Sequence, residues 1–257
     1  MKQRKPNPLD LSTFDGRLLD GLNFSRKVYE LFNQTRAGTD GISKLRLRRT
    51  KQEKRLIEEL IPIARYVQAR YREGRQVKVR WLSGSQPYDA ILLFSGAFVE
   101  KGYTPRRLVV EVTTAVHQNN YLLRQRLDKQ DHAFGVKGLS RDKKTGEVLS
   151  EPYVVTNGGR ENDLATQIID RIKGKSEKGY DPETVLIVYC VPNGVTLPDE
   201  WDRAVELVRQ ADAHHGFREV FLIETSVASY SATLCGDPKR VSHDTVGERA
   251  APGVREA

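Results

Sequence analysis

Two acidic side chains lie in strand-like segments of this chain, where an ionised group is costly to bury. Side chains alternate between the two faces of a strand, so Glu111 and Thr113 share one face of the strand predicted at 106–114. Asp89 stands at the start of a second apolar run, 90–94. A carboxylate in such a place costs free energy unless it has a partner such as a metal ion. Two acids on adjacent strands could therefore hold a divalent cation.

A long helix is predicted upstream of both acids. Thr50 and Glu53 form a capping-box signature, and hydrophobic periodicity continues from there to about residue 72. Pro62 predicts a kink inside this helix. The side chains at helical spacing, which should form its buried stripe, are Ile57, Leu60, Ile61, Ala64, Val67 and Tyr71.

Strands and helices alternate after that helix. Strand-like segments at 77–82, 87–94 and 106–114 have hairpin-length connections, so we expect an antiparallel meander. The later predicted elements are a helix at 116–134, a β-hairpin turn at 142–146, a helix at 161–173, an apolar strand at 184–191, a helix at 199–214 and a strand at 219–225. This order predicts an α/β core with a mixed central β-sheet, a three-strand meander plus further strands, flanked by helices.

The chain divides into three predicted regions. Residues 1–49 are basic and of mixed character, with a short helix at 25–34, and are interpreted as an N-terminal extension. Residues 50–235 carry the periodic segments of one folded domain. Residues 236–257 lack hydrophobic periodicity, which predicts a disordered tail.

Composition narrows the class of partner. The 257 residues include 42 Lys and Arg against 34 Asp and Glu, a net charge of +8 that favours an anionic partner, most simply nucleic acid. Cys190 and Cys235 give neither a disulfide framework nor a zinc site, as expected for a reducing cytoplasm. The charged residues 1–6 lack the apolar core of a signal peptide, and no run approaches the roughly 20 apolar residues of a membrane span. We therefore expect a cytoplasmic protein with no membrane partner.

Over roughly residues 50–191 the chain resembles the PD-(D/E)xK, or restriction-endonuclease-like, superfamily of nucleases. That family's core is a helix, a three-strand meander, a helix and a further strand. Pro87-Tyr88-Asp89 resembles its first motif with one residue inserted, and Glu111-Val112-Thr113 its second motif with threonine where lysine is usual. The resemblance implies a restriction-endonuclease-like core in which Asp89 and Glu111 hold Mg²⁺ or Mn²⁺. It further implies endonucleolytic hydrolysis of nucleic acid, DNA more than RNA, in defence, restriction or repair.

The missing lysine directs attention to other groups near the motif. Thr113 can exchange only a neutral hydrogen bond, and His117, four residues further on, is the expected catalytic substitute. The family often draws a further acid from the preceding helix. Glu53 is predicted as that third metal ligand because it extends the buried stripe, whereas Glu58 and Glu59 flank the stripe.

Two basic segments are predicted to contact nucleic acid. The helix after the second motif carries amides, arginines and an aromatic, and resembles the Gln-containing helix of recombination-type family members. A second basic cluster covers 46–54. The expected contacts are Gln118, Arg124, Arg126, Lys129, Arg48 and Arg49. A solvent-exposed face is an equally good interpretation of such charges.

Three interpretations stay open at this point. The first is a metal-dependent endonuclease acting on DNA, which requires the Asp89 and Glu111 carboxylates to converge within one metal's coordination sphere. The second is a catalytically inactive nuclease-fold subunit that binds nucleic acid or a protein partner, and Thr113 is its main support. The third is a non-nuclease α/β protein in which Glu111 is only hydrogen-bonded. A homodimer is compatible with the resemblance, since restriction-type enzymes often dimerise to cut both strands.

Overall fold

The computed structural model describes residues 9–156, 158–181, 183–195, 197–213, 216–224 and 230–235. The predicted tail at 236–257 lies outside these residues. The strands of the described part are β1 (Leu18–Asp20), β2 (Gln76–Trp81), β3 (Ala90–Ser95), β4 (Arg107–Ala115), β5 (Leu139–Arg141), β6 (Val148–Ser150), β7 (Thr184–Cys190), β8 (Glu219–Glu224) and β9 (Ser231–Cys235).

Helices occupy most of the intervening chain. They are α1 (Gly21–Ala37), α2 (Gly41–Leu47), α3 (Lys51–Arg55), α4 (Ile61–Arg70), α5 (Ala97–Glu100), α6 (Asn120–Gln130), α7 (Gly159–Ser176) and α8 (Pro198–Gln210). A π-helical turn, Leu56–Leu60, joins α3 to α4. Among the described residues, no helix is both long and apolar enough to cross a lipid bilayer.

Seven strands form one mixed sheet in the order β1-β2-β3-β4-β7-β8-β9. The strands β2, β3 and β4 pair antiparallel, which confirms the predicted meander. The strands β4, β7 and β8 are parallel, and β9 returns antiparallel at the edge. The remaining pair, β5 and β6, is a separate hairpin around the predicted turn. These findings confirm an α/β fold with a mixed central sheet flanked by helices.

Each face of the sheet has its own apolar core. On one face, Val110 and Val112 pack in a cluster that also contains Tyr66 of α4 and Phe24 of α1. On the other face, α7 and α8 pack on β7 and β8 around buried residues such as Ile168. The strand β7 is buried throughout, as expected of a central strand covered on both sides.

Part of the predicted N-terminal extension belongs to the same core. Phe14, Phe24 and Val28 are buried with the side chains of α4, and β1 pairs with β2 at the sheet edge. Asp20 caps α1 by accepting the backbone N–H groups of Leu22 and Asn23. The predicted helix at 25–34 is thus the middle of a longer one.

The helix that leads into the meander begins as predicted and is interrupted near Pro62. Thr50 and Glu53 form the capping box. One turn before Pro62 the backbone widens, and the N–H of Ile61 bonds to the carbonyl of Leu56, five residues back. Proline has no N–H to donate, so a regular α-helical pattern is already lost at this point. The result is a π-helical turn where the sequence predicts a kink.

Strand β4 extends past its neighbour β3. Ala90 pairs with Val110, and beyond that pair residues 111–115 of β4 pair with β7 on their other side. The β3-facing edge of β4 is therefore open where Glu111 and Thr113 stand. An open edge of this kind leaves backbone groups and side chains accessible from both layers of helices.

Candidate active site

The two acids of the predicted motifs meet at the open edge of β4. Continuing the antiparallel pairing of Ala90 with Val110 by one residue sets Asp89 opposite Glu111. The backbone N–H of Asp89 donates to the Val110 carbonyl at 2.8 Å, and its carboxylate Oδ2 accepts the N–H of Val112 at 2.8 Å. Asp89 therefore replaces a missing strand partner and is held in a defined orientation.

Glu111 is 8 % exposed, and a lysine from α7 balances its negative charge. Lys175, in the last turn of α7, forms a hydrogen-bonded ion pair with its carboxylate. Burial first, and then the charge of nearby Glu111, raise the pKa of the Tyr180 phenol. An ammonium group thus stands beside the second motif acid, although position 113 of the motif is threonine.

A third acid, Glu59, approaches from the helix on the other face of the sheet. It lies in the π-helical turn, and its Oε2 accepts the indole N–H of Trp81 at 3.1 Å. Burial first, then the neighbouring charges of Glu111 and Glu58, raise the pKa of Glu59, while Arg55 opposes the shift. Because a π-turn changes which way each side chain points, the interruption at Pro62 helps to place this acid.

These groups line one open cleft of about 450 Å³, which we call the acidic cleft. Its walls are formed by Glu58, Glu59, Asp89, Glu111, Val112, Thr113, Thr114, Val116, Arg171 and Lys175. Burial is the main cause that raises the pKa of Asp89 to about 7, and the charges of Glu111 and Glu59 add to it. The carboxylates therefore repel one another even with Lys175 nearby.

His117 lies outside the acidic cleft. Its Nδ1 accepts the backbone N–H of Asn119 at 3.1 Å, and its ring lines a small cavity together with Lys137 and Asp163. Burial first, and then Lys137, lower the pKa of His117 against the opposing effect of Asp163. A neutral imidazole that does not line the acidic cleft lacks the positive charge of the missing lysine, and the cation paired with Glu111 in the cleft is Lys175.

Glu53 also lies away from the acidic cleft. Its carboxylate accepts the backbone N–H of Thr50 at 3.0 Å as part of the capping box. The same side chain cannot cap the first turn and reach the sheet edge one and a half turns later. Glu59, six residues further along, is the helix acid that lines the cleft, so it replaces Glu53 as the potential third ligand.

Three arginines predicted to contact nucleic acid are used inside the fold. Arg48 pairs with Glu58 at 2.8 Å, and Arg124 approaches the same carboxylate oxygen at 3.6 Å. Arg126 donates to the carbonyl of Val148 at 2.7 Å and thereby ties α6 to the β5–β6 hairpin. These contacts give the three guanidinium groups a structural role.

The remaining predicted contacts are at the surface. Arg49 and Lys129 are exposed and line a common cleft between the end of α2 and α6, together with the exposed ring of Tyr121. Gln118 is exposed beside His117 in a further shallow cleft. None of these three lines the acidic cleft.

The sequence did not predict Lys175 and Arg171 as site residues, and it favoured Glu53 over Glu59 as the helix acid. Lys175 lies 64 residues after Glu111 and belongs to a helix whose basic end is typical of helix C-termini. Only the spacing of Arg171 and Lys175, four residues apart and hence on one helix face, was available as a signal. That spacing is common on solvated helices, and it does not indicate which part of the protein lies against the helix face.

The side chains present fit a hard divalent cation. Asp89 and Glu111 offer carboxylate oxygens at one sheet edge. Burial first, and then the charges of Glu111 and Glu59, raise the pKa of Asp89, and a bound cation would offset both effects. Within the described residues, no group of three or more His, Cys, Asp and Glu side chains is arranged to hold a metal ion. Mg²⁺ commonly uses one or two carboxylates and completes its shell with water and substrate phosphate, so two acids suffice.

Comparisons with known proteins return no relative for this chain. No protein-family model, no curated protein and no solved structure matches it. The fold and the geometry of the acidic cleft therefore carry the functional argument.

Proposed function

We propose that the protein is a metal-dependent nuclease with a restriction-endonuclease-like core, acting at the acidic cleft. The observation that carries the proposal is the Lys175 ammonium bound to Glu111 in the cleft that also contains Asp89. The PD-(D/E)xK superfamily, which the chain resembles, uses two motif acids and a lysine. In this chain the lysine would come from α7. The threonine at position 113 is then compatible with activity.

The metal site would use Asp89 and Glu111, with Glu59 adding negative charge at the same edge. A bound Mg²⁺ or Mn²⁺ would supply Lewis-acid polarisation of the phosphate and a more acidic water. The Val112 N–H holds Asp89 in place. An acid fixed in this way loses little conformational freedom when a ligand arrives.

Lys175 would provide the fixed positive charge of the reaction. Its ammonium lies beside Glu111 before substrate binds, so it needs no large movement to face a phosphate oxygen in the cleft. A preorganised cation stabilises the negative charge that develops on the phosphoryl oxygens in the transition state. Thr113, which lines the same cleft, can add one neutral hydrogen bond to a phosphate oxygen or a water.

DNA is the proposed substrate, with RNA as the alternative polymer. The net charge of +8 supports an anionic polymer of either kind. Defence, restriction or repair would each use such an endonuclease.

The test is a cleavage assay with purified protein on supercoiled plasmid, linear duplex, single-stranded DNA and RNA, each with Mg²⁺, Mn²⁺ or EDTA. We expect metal-dependent cleavage of DNA, and a loss of at least about a thousandfold in Asp89→Asn and in Glu111→Gln. Asp142→Asn and Glu206→Gln remove surface acids outside the cleft and serve as matched controls.

Two results would overturn the proposal. Cleavage that survives both cleft substitutions would place the active site elsewhere. Metal-independent binding of nucleic acid, with no cleavage under any condition, would instead support the catalytically inactive subunit.

A further inference from the structure

Asp89 and Glu111 stand where two clefts meet. Besides the acidic cleft, both line a second open cleft of about 520 Å³, which we call the flanking cleft. The flanking cleft also includes Arg107, Lys178 and Thr184. The two acids are thus bordered by open space on two sides, and a ligand longer than one phosphate could pass over them.

The two clefts follow one face of β4. Arg107, Val109, Glu111 and Thr113 alternate onto this face, the first three lining the flanking cleft and the last two the acidic cleft. With a rise of about 3.3 Å per residue, Arg107 and Thr113 are about 20 Å apart along the strand. This length matches several consecutive phosphates of a nucleic-acid strand, since they follow one another at about 3.4 Å along a helix axis.

Three cations border this path without a partner among the residues that the structure describes. Arg171 lines the acidic cleft, and Arg107 and Lys178 line the flanking cleft. All three are exposed, and within the described residues their side chains form no hydrogen bond or ion pair. Arg171 and Lys175 lie one helical turn apart on α7, and Lys178 follows two residues after the helix ends. The end of α7 therefore presents cations on both sides of the acids.

A buried hydroxyl in the flanking cleft also lacks a partner within the described part of the chain. Thr184 is 1 % exposed, and among the described residues its Oγ1 has no hydrogen-bond partner. A buried hydroxyl without a partner costs free energy, so a ligand or water that bonds to it is favoured. This observation is independent of the surface charges and points to a polar ligand in the same cleft.

We infer that one strand of nucleic acid crosses the site along this face of β4, from the acidic cleft into the flanking cleft. Arg171 contacts a phosphate on one side of the acids, and Arg107 and Lys178 contact phosphates on the other. Guanidinium and ammonium groups are the usual partners of phosphate oxygens. The inference rests on the proposed function for the identity of the polymer, and it adds the path and the residues that bind it.

The test measures binding without metal, so that cleavage cannot interfere. Fluorescence anisotropy with a labelled oligonucleotide, single-stranded or duplex, is recorded in EDTA over a series of salt concentrations. The variant Arg107→Ala/Arg171→Ala/Lys178→Ala should lower the slope of log affinity against log salt by about 2 on a single strand or about 2.7 on a duplex, at roughly 0.7 or 0.9 per lost contact.

The matched control loses the same net charge elsewhere. Lys143, Lys144 and Lys173 are exposed lysines that line neither cleft, and replacing all three by alanine should leave the slope unchanged. Thermal unfolding should give the same midpoint for both triple variants and the parent, since only exposed side chains change. If the triple cleft variant does not fold, each single substitution should still lower the slope by about 0.7 to 0.9.

Three outcomes would overturn the strand path. They are a parent protein that binds neither oligonucleotide, a cleft variant with the parent's slope, and a control variant with the same loss as the cleft variant. The outcome for the proposed function is separate. Salt-dependent binding through the three cations without any cleavage would retain the path, whereas cleavage with an unchanged slope would retain only the nuclease.

Discussion

The helices α6 and α7 both lie between β4 and β7 along the chain and both carry several cations, yet they use them differently. On α6, Arg124 pairs with Glu58 and Arg126 bonds to the Val148 carbonyl. At the end of α7, Lys175 pairs with Glu111, whereas Arg171 projects from the same helix face without a partner in the described part of the chain. Arg124 and Arg126 of α6 thus hold the fold together, whereas Arg171 and Lys175 of α7 face the candidate site.

The difference comes from what each helix packs against. The separate hairpin of β5 and β6 packs on α6 around Leu122, and its backbone carbonyls need donors. The end of α7 instead reaches the open edge of β4, where acids rather than carbonyls are exposed. Whether the cations of a basic helix can bind a ligand therefore depends on the surface against which the helix packs. The number of basic and amide residues alone does not decide it.

Among the cations of the two helices, the largest expected effect on the cleavage rate comes from one of α7 and not from one of α6. Lys175→Ala should lower the rate of metal-dependent cleavage by about 100- to 1,000-fold, because it removes a preorganised cation from the transition state. Arg126→Ala should change the rate only a few-fold in protein that remains folded. Single-turnover cleavage assays check both values, with Lys173→Ala on the exposed face of α7 as the control. Equal losses for Lys175→Ala and Arg126→Ala would remove the distinction between the helices.

The free energy of unfolding should depend more on the α6 arginine than on the α7 arginine, the reverse of the order expected for cleavage. Arg126→Ala should lower the free energy of unfolding by about 1.5–3 kcal/mol, since it leaves the Val148 carbonyl without its charged donor. Arg171→Ala should change it by less than about 0.5 kcal/mol, as for most exposed positions. Urea denaturation followed by circular dichroism measures both. A stable Arg126→Ala protein would mean that this guanidinium is free to act elsewhere.

Glu53 and Glu59 should also differ, the first affecting mainly stability and the second mainly cleavage. Glu53→Ala should lower the free energy of unfolding by about 0.5–2 kcal/mol through loss of the capping box, with little change in cleavage. Glu59→Gln should lower cleavage by about tenfold, the lower range for a residue that supports a metal site. Chemical denaturation and cleavage assays on both variants provide the comparison. A larger loss of cleavage in Glu53→Ala than in Glu59→Gln would reverse this assignment.

The last expected effect is a pH dependence of stability in metal-free protein. The pKa of Asp89 rises from 3.8 to about 7 on folding, mainly by burial. Between these values the folded state binds more protons than the unfolded state, so this group lowers stability as pH rises toward 7. The stability of the parent relative to Asp89→Asn should therefore fall between pH 5 and pH 8 in EDTA.

The surface acid Asp142 serves as the control for that measurement. Backbone N–H groups of Thr145 and Lys144 lower its pKa below 3.8, so its contribution is complete before pH 5 and stays constant to pH 8. The difference in free energy of unfolding between the parent and Asp142→Asn, measured by urea denaturation, should therefore be the same at pH 5 and pH 8. If the stability difference from the parent fell equally for Asp89→Asn and Asp142→Asn, the cleft would not be the cause of a raised pKa at Asp89.

Local signals in the sequence were sufficient for much of the fold. The alternation around Glu111 predicts β4, the capping box at Thr50 predicts the start of α3, and Pro62 marks the point where the helix becomes irregular. Such signals depend on neighbours within a few residues, and these interactions are already present in the local chain. Short edge strands such as β1 and β9 lack such a pattern, because pairing with distant strands stabilises them.

By itself, the sequence determined the two motif acids, the meander that carries them and the basic character of the molecule. Only the tertiary structure decided which cation stands beside Glu111 and which helix acid reaches Asp89. Lys175 and Glu59 approach from opposite faces of the sheet, 64 and 52 residues away from Glu111 along the chain. No periodicity extends over such separations, and the open edge of β4 brings the three groups together through packing alone.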